Sequence, residues 1–301
     1  MISIIIPNLH SPLIGQVIQA LAGQTARSAI REVIVVGQDR YGRIPAGVRF
    51  VPTSQPISPA AARNLGARLA GGAYLLFLDA DCIAALDLVE RILARHRQGH
   101  VVVGGAVTPE SRSYWTLCDN LLVFAPFLAT AAPGARPYLP SHTISIARGV
   151  FVELGGFDES FAPTGEDMDL SLRLRARGYG LFFEPAAGVA HRPPRVSAGA
   201  IFNHLRSFGQ GYYRLQKQHA ALWRSPVARL PRSLIGLLIA LIPLLACKDI
   251  LWQFARSRAI RAYPQAIVGM IWGRMGWYLG VVEGLLIQPE SLADVSGLTR
   301  R

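Results

Sequence analysis

An α/β domain built on a mixed, mostly parallel sheet flanked by helices, with a C-terminal apolar helical tail, is the fold class that this sequence predicts. Three observations predict it. Short β-branched runs alternate with segments of helical periodicity over the first 107 residues. The runs are continuous, as in strands buried on both faces. The last third of the chain gathers both the basic charge and the longest apolar stretches. A length of 301 residues suffices for one large domain or two ordinary ones, and 51% hydrophobic against 17% charged residues excludes disorder as the main state.

Residues 2–6 (Ile-Ser-Ile-Ile-Ile) form the first predicted strand, closed by Pro7. A helix is expected over 13–21, with Ile14, Val17, Ile18 and Leu21 on one face. Strands follow at 32–36, ended by Gly37, and at 48–51. The alanine-rich segment 60–70 is a helix entered at Pro59 and left at Gly71-Gly72. Strand 73–78, helix 86–97 and strand 101–107 continue the alternation. Beyond Thr108 it fades. An apolar helix is expected over 113–128, a Pro/Gly-rich loop over 131–140, a helix over 166–177 closed by Gly178, and a strand at 181–183.

Charge divides the chain. Through His191 there are 16 basic and 15 acidic residues; from Arg192 onward there are 15 and 4. The near-neutral front and basic back predict two jobs, and the chain is expected to divide into an α/β domain over 1–225 and a membrane-associated helical region over 226–301. The basic, apolar tail suits an anionic membrane surface better than a nucleic acid, since 192–232 holds eight basic residues without a reader motif. No nucleic-acid partner is expected. Cys82, Cys118 and Cys247 are far apart and form no CxxC pair, so neither a zinc framework nor a disulfide scaffold is indicated. That cysteine usage leaves a reducing compartment as the expectation, and the first seven residues, without a basic n-region, read as a strand and not as a signal peptide.

Ligands on such sheets bind beyond the carboxyl ends of strands. The expected strand 73–78 ends in Asp79-Ala80-Asp81. Carboxylates two positions apart in an extended chain point the same way and suit Mg²⁺ or Mn²⁺, although an acidic pair also solvates an ordinary turn. Gly165-Glu166-Asp167-Met168-Asp169 opens a helix. Thr164 and Asp167 have the spacing of a capping box, but three acids in four residues exceed what capping needs. One of them is a candidate general base. His191 is either a late metal ligand or a packed histidine beside Arg192-Pro193-Pro194.

Taken together, these residues resemble the family 2 glycosyltransferases, inverting enzymes of the GT-A fold. The resemblance runs from residue 1 to about 192. It is carried by Ser3-Ile4-Ile5-Ile6-Pro7-Asn8, Glu32-Val33-Ile34-Val35-Val36, Ala60-Ala61-Ala62-Arg63-Asn64-Leu65-Gly66 with Phe77-Leu78-Asp79-Ala80-Asp81, and Gly155-Gly156-Phe157-Asp158-Glu159 with the acidic helix start. It implies that Asp79 lies toward the nucleotide ribose and that Asp81, with Asp79 and His191, holds Mn²⁺ or Mg²⁺ on the diphosphate. It implies Asp167 as catalytic base and Glu166 as a residue shaping the acceptor site. Pro7, Asn8, Arg63 and Asp39 fall to the nucleotide pocket. Asp39 is displaced from the end of the second strand, where the family places an aspartate pair. The processive QxxRW motif is absent, which favours single-sugar addition, and Ser141-His142-Thr143 stands where the family has a small residue and Asn.

The expected function is metal-dependent, inverting transfer of one sugar from a nucleotide-sugar donor, a UDP-sugar, to a lipid-linked or cell-envelope glycan acceptor at the cytoplasmic face of the membrane. A nucleotidyltransferase shares the need for paired carboxylates, but the basic Gly-rich loop after the first strand is missing. A non-catalytic subunit of the same fold is the other alternative; intact Asp79, Asp81 and Asp167 oppose it. In the tail, residues 233–247 are apolar, and 265–288 are apolar apart from Arg274 and Glu283. Arg256, Arg258 and Arg261 lie between them. A spanning hairpin would put these arginines outside, against the positive-inside rule, so interfacial helices or a shallow hairpin are expected.

Overall fold

The computed structural model describes residues 1–109, 113–161, 164–219 and 235–286. The chain divides into two compact units, Met1–Pro194 and Arg195–Arg301.

In the first unit β1 (Ile2–Leu9) lies beside β2 (Ile30–Gln38) and β4 (Tyr74–Leu78), parallel to both, and β3 (Arg49–Pro52) extends the parallel set beyond β2. Ile2, Ile4, Ile5 and Ile6 are fully buried, as the unbroken apolar run requires. Helices α1 (Ile14–Ala22), α2 (Pro59–Leu69) and α3 (Leu88–Arg97) flank the sheet. In α1 the buried residues are the four expected from their spacing. Helix α2 starts at Ser58, whose hydroxyl accepts the Ala61 N–H at 3.1 Å, with Pro59 in the first turn.

Past β4 the sheet becomes mixed. The order is β3-β2-β1-β4-β8-β6-β9-β5, where β5 is Cys82–Ala84, β6 Val102–Pro109, β8 Thr143–Ala147 and β9 Leu181–His191. Strand β8 runs antiparallel between β4 and β6, β6 and β9 are parallel, and β5 returns antiparallel to β9. The short β7 (Gly134–Ala135) pairs with β9 inside the expected loop. Strands β5, β7 and β8 were not expected, and β9 is 11 residues long rather than three. Helix α4 (Tyr114–Phe124) is shorter than expected because Pro126 redirects the chain into a 3₁₀ turn. Helices α5 (Arg148–Glu153) and α6 (Glu166–Ala176) complete the unit.

The second unit contains α7 (Ala198–Gln218), α8 (Ile235–Arg256), α9 (Arg258–Arg261) and α10 (Ile267–Leu286). Helices α7 and α10 cross at backbone distance. A Cβ on Gly280 would stand 1.9 Å from the Arg206 carbonyl oxygen, and one on Gly209 would stand 2.1 Å from that of Trp277. Arg206 and Gln210 both bond Glu283 across this crossing. This explains why 195–218, expected to belong with the catalytic domain, clusters with the tail. The expected boundary at 225/226 lies outside the described residues, as do 233–234 and 287–288 of the two apolar runs. Helix α8 continues past Cys247 to Arg256, and Asp249 accepts a hydrogen bond from the Tyr278 hydroxyl at 2.7 Å.

Candidate functional site

The sheet order reverses at β1: β2 lies on one side and β4 on the other. The crevice between their carboxyl ends is where open α/β sheets bind ligands. Gly37 brings β2 against β1 here. It has φ +130°, and a Cβ would lie 2.1 Å from the Asn8 carbonyl oxygen. Asn8, next to Pro7 at the end of β1, is buried; its amide donates to the Gln38 carbonyl at 2.8 Å, and its Oδ1 accepts the Ser11 N–H at 3.2 Å. Ser11 in turn donates to the Ala80 carbonyl at 2.7 Å, tying the loop after β1 to Asp79-Ala80-Asp81. Asp39 sits just past β2. Its Oδ2 accepts the Ile44 N–H at 2.9 Å, while Oδ1 is buried with no hydrogen-bond partner.

Arg63 is the electrostatic centre. Gly66 lets α2 approach β1, since a Cβ there would stand 2.5 Å from the Ile5 side chain, and the approach delivers Arg63 to the strand ends. The guanidinium is 3% exposed and forks to two carboxylates, Asp79 at 2.7 Å and Glu166 at 2.9 Å. Burial works to raise the Asp79 pKa, but the charge and hydrogen bond of Arg63 prevail and hold it below the ordinary range. For Glu166 the balance is opposite. Burial, with Asp167 beside it, outweighs Arg63 and lifts the carboxyl to about 7. Asn64 braces the same helix, donating to the Phe157 carbonyl at 2.8 Å and accepting its N–H at 2.9 Å, so the Gly155-Gly156-Phe157 turn is locked onto α2.

Asp167 lies in the first turn of α6. Its Oδ2 accepts the Ser141 N–H at 3.2 Å, and its Oδ1 accepts the Met168 N–H at 2.8 Å. Burial raises its pKa against these bonds and the Arg63 charge. The expected capping box is corrected: the N-cap is Gly165 at φ +111°, without a side-chain cap, because the left-handed turn occupies the position Thr164 would need. Glu166, expected near the acceptor, is buried and bound to Arg63.

His191 ends β9, directly opposite Cys82 on β5, and its Nε2 lies 3.7 Å from Asp81 Oδ1. Asn120 of α4 fixes the ring: its amide N–H donates to the His191 carbonyl at 3.1 Å, which leaves Asn120 Oδ1 to accept Nδ1–H at 2.5 Å. Nε2 therefore presents its lone pair toward Asp81. Asp81, Cys82 and His191 each offer a ligand atom within 4.8 Å of the others. A carboxylate, an imidazole and a thiol so grouped fit a divalent transition metal. Asp79, expected to share the metal, is committed to Arg63 through Oδ1. Sequence reasoning missed Asn120; the signal was Asp119-Asn120 within an apolar helix, both fully buried.

A sheet whose order reverses at β1, with carboxylates at the switch point, is the architecture of the GT-A fold. The sequence model described as glycosyl transferase family 2 matches residues 3–151, so this stretch is a family 2 glycosyltransferase domain. An N-acetylglucosaminyl-diphospho-decaprenol L-rhamnosyltransferase of Mycobacterium tuberculosis is 31% identical over 98 residues, 32% of either chain. A validoxylamine A glucosyltransferase of Streptomyces hygroscopicus is 32% identical over 149 residues, 40% of this chain and 35% of that one. The matched stretch thus spans about a third of these relatives. A mannosyltransferase of Pyrobaculum calidifontis, solved with GDP-Man and Mn²⁺, shares the fold at a TM-score of 0.58 and 17% identity, over 90% of this chain and 85% of that one. GalNAc-T7, solved with UDP, GalNAc and Mn²⁺, reaches 0.53 at 16% identity, over 73% and 51%.

Proposed function

We propose that the chain moves one sugar from a nucleotide sugar, a UDP-sugar in the first instance, to a lipid-linked acceptor, with inversion at the anomeric carbon. The observation that carries this reading is the pairing of Asp81 with an oriented His191 beside Asp79, whose charge is felt by the buried Asp167. The buried Asp39 Oδ1 supports nucleotide binding, since a base or ribose donor would complete it. Asp81 and His191, with Cys82 at hand, would hold a divalent cation, which when bound would supply positive charge against the leaving diphosphate. Asn120 holds the His191 ring for that task, and Arg63 keeps Asp79 ionised toward the ribose. Asp167 takes the proton of the acceptor hydroxyl as its oxygen attacks from the face opposite the diphosphate. Burial makes its carboxylate more basic than an exposed one, as a proton acceptor requires.

The second unit supports a membrane-proximal acceptor. Helix α8 is long and apolar enough to cross a membrane, with Leu237, Leu244, Leu251 and Trp252 exposed. Arg256, Arg258 and Arg261 follow, and their charge suits an anionic cytoplasmic leaflet when α8 lies in the interface instead of crossing it. The rhamnosyltransferase relative bears a diphospho-decaprenol substrate in its name.

Calorimetry and turnover test the site. Asp81→Ala should abolish Mn²⁺-dependent UDP binding while the fold survives, and unchanged binding would remove Asp81 from the metal site. Asp167→Asn should bind the donor yet turn over about 10²-fold more slowly or worse. Near-normal turnover would leave it only a structural role.

A further inference from the structure

His142 precedes β8, and the function proposed above makes no use of it. Its ring is 98% buried, and both ring nitrogens are sealed from solvent without a hydrogen-bond partner. An imidazole in this state is unfavourable by several kcal/mol in general, so a site that keeps one is built for a partner that arrives later. The surroundings say which partner. The His142 carbonyl accepts the Asp79 N–H at 3.1 Å. The preceding residue, Ser141, donates its N–H to Asp167. The ring itself lies against Phe124, with centroids 4.6 Å apart, and 6.5 Å from the ring of His191. The main chain at Ser141-His142 is thus tied on one side to Asp79, at the diphosphate side of the crevice, and on the other to the candidate base. In any direct displacement the transferred sugar occupies that interval.

We propose that His142 reads the donor sugar, its N–H donating to one hydroxyl oxygen and its bare nitrogen accepting from another hydroxyl. The inference rests on the glycosyl-transfer reading of the same site. No carboxylate bonds either ring nitrogen, so the buried ring is a neutral imidazole. A neutral imidazole needs one acceptor and one donor. Ionised phosphate oxygens only accept and would leave one nitrogen orphaned, whereas sugar hydroxyls do both. Phe124 supplies the apolar wall that fixes the ring plane.

The test is calorimetry in Mn²⁺ with UDP, UDP-glucose, UDP-N-acetylglucosamine and GDP-mannose, on wild type, His142→Phe and His142→Gln. For the nucleotide sugar that wild type prefers, His142→Phe should lose about 10- to 100-fold in affinity beyond any change for the nucleoside diphosphate alone. His142→Gln, which keeps a donor and an acceptor, should recover part of the loss, and it also serves if the Phe variant fails to fold. Monodeoxy analogues of that donor give the sharper readout. Removing the hydroxyl read by His142 should weaken binding to wild type but not further weaken binding to His142→Phe. Equal losses for UDP and its sugar would make the residue structural. Undiminished sugar binding by His142→Phe would mean that a buried water completes the ring; either result overturns the proposal. A wild type that binds UDP but none of the three nucleotide sugars refutes the donor assignment proposed above, and this inference with it.

Discussion

Arg63 shows what burial does to charge in this molecule. One guanidinium compensates two carboxylates, and water has little access to Glu166, whose side chain is 10% exposed. Arg63→Met should therefore lower stability by about 3–5 kcal/mol, read from urea unfolding, because it strands buried charge. A loss under 1 kcal/mol would mean that the carboxylates are hydrated. His96 makes a separate prediction about pH. Its ring bonds Ser145 and the His100 carbonyl and stacks on Tyr74, and burial lowers its pKa to about 4. Between pH 6.5 and 4 the unfolded chain takes up a proton that the folded chain refuses. Stability should fall as pH drops through that window, by up to about 3 kcal/mol from this group. Urea midpoints measured across it should show a shallower slope in His96→Gln; equal slopes would refute the assignment. Asp79, Asp81, Asp167 and His191 were legible as candidates because chemistry-bearing residues fall at strand and helix ends. The roles of Glu166 and Asn120 were not, since each depends on a partner far away in the chain, 103 residues for Glu166 to Arg63 and 71 for Asn120 to His191.

The elements that build the crevice depend on glycines at contacts rather than in turns alone. Gly37 faces Asn8 across the β1–β2 pairing at the strand ends. Gly37→Ala would place a methyl group 2.1 Å from a backbone oxygen at φ +130°. It should destabilise the fold by about 3 kcal/mol through strain and overpacking. It should also weaken UDP binding, because the Asn8–Gln38 junction must part. Thermal unfolding with calorimetry checks both, and a neutral substitution would show that the strands separate freely. The early strands and helices were legible because each buries a contiguous local run. Strand β8 was not. Its sequence, Thr-Ile-Ser-Ile-Ala, alternates like a half-exposed strand, yet Ser145 is buried with His96 as partner. Its place between β4 and β6 is set by pairing across the chain.

At the scale of the molecule the two units carry different chemistry. Helix α8, at 22 residues, is about 33 Å long, close to the thickness of a bilayer core. Leu241 and Leu244 are exposed near its middle. Leu241→Asp with Leu244→Asp should move the protein from the membrane fraction to the supernatant, since an acid mid-helix costs about 3 kcal/mol in a bilayer. Recovery of the unmodified chain as a soluble monomer without detergent would refute the membrane role.

By itself the sequence determined the parallel half of the sheet, its flanking helices, the positions of the acidic motifs, and the division between a neutral front and a basic, apolar back. These are local properties: periodicity, capping and charge density are complete within a dozen residues. Tertiary structure alone decided that Arg63 bridges Asp79 to Glu166, that Asn120 aims His191 at Asp81, that α7 belongs with the tail, and that His142 is buried without a partner. Each of these arises when distant segments exclude water together, and desolvation turns a weak surface preference into a fixed bond or an open demand for one.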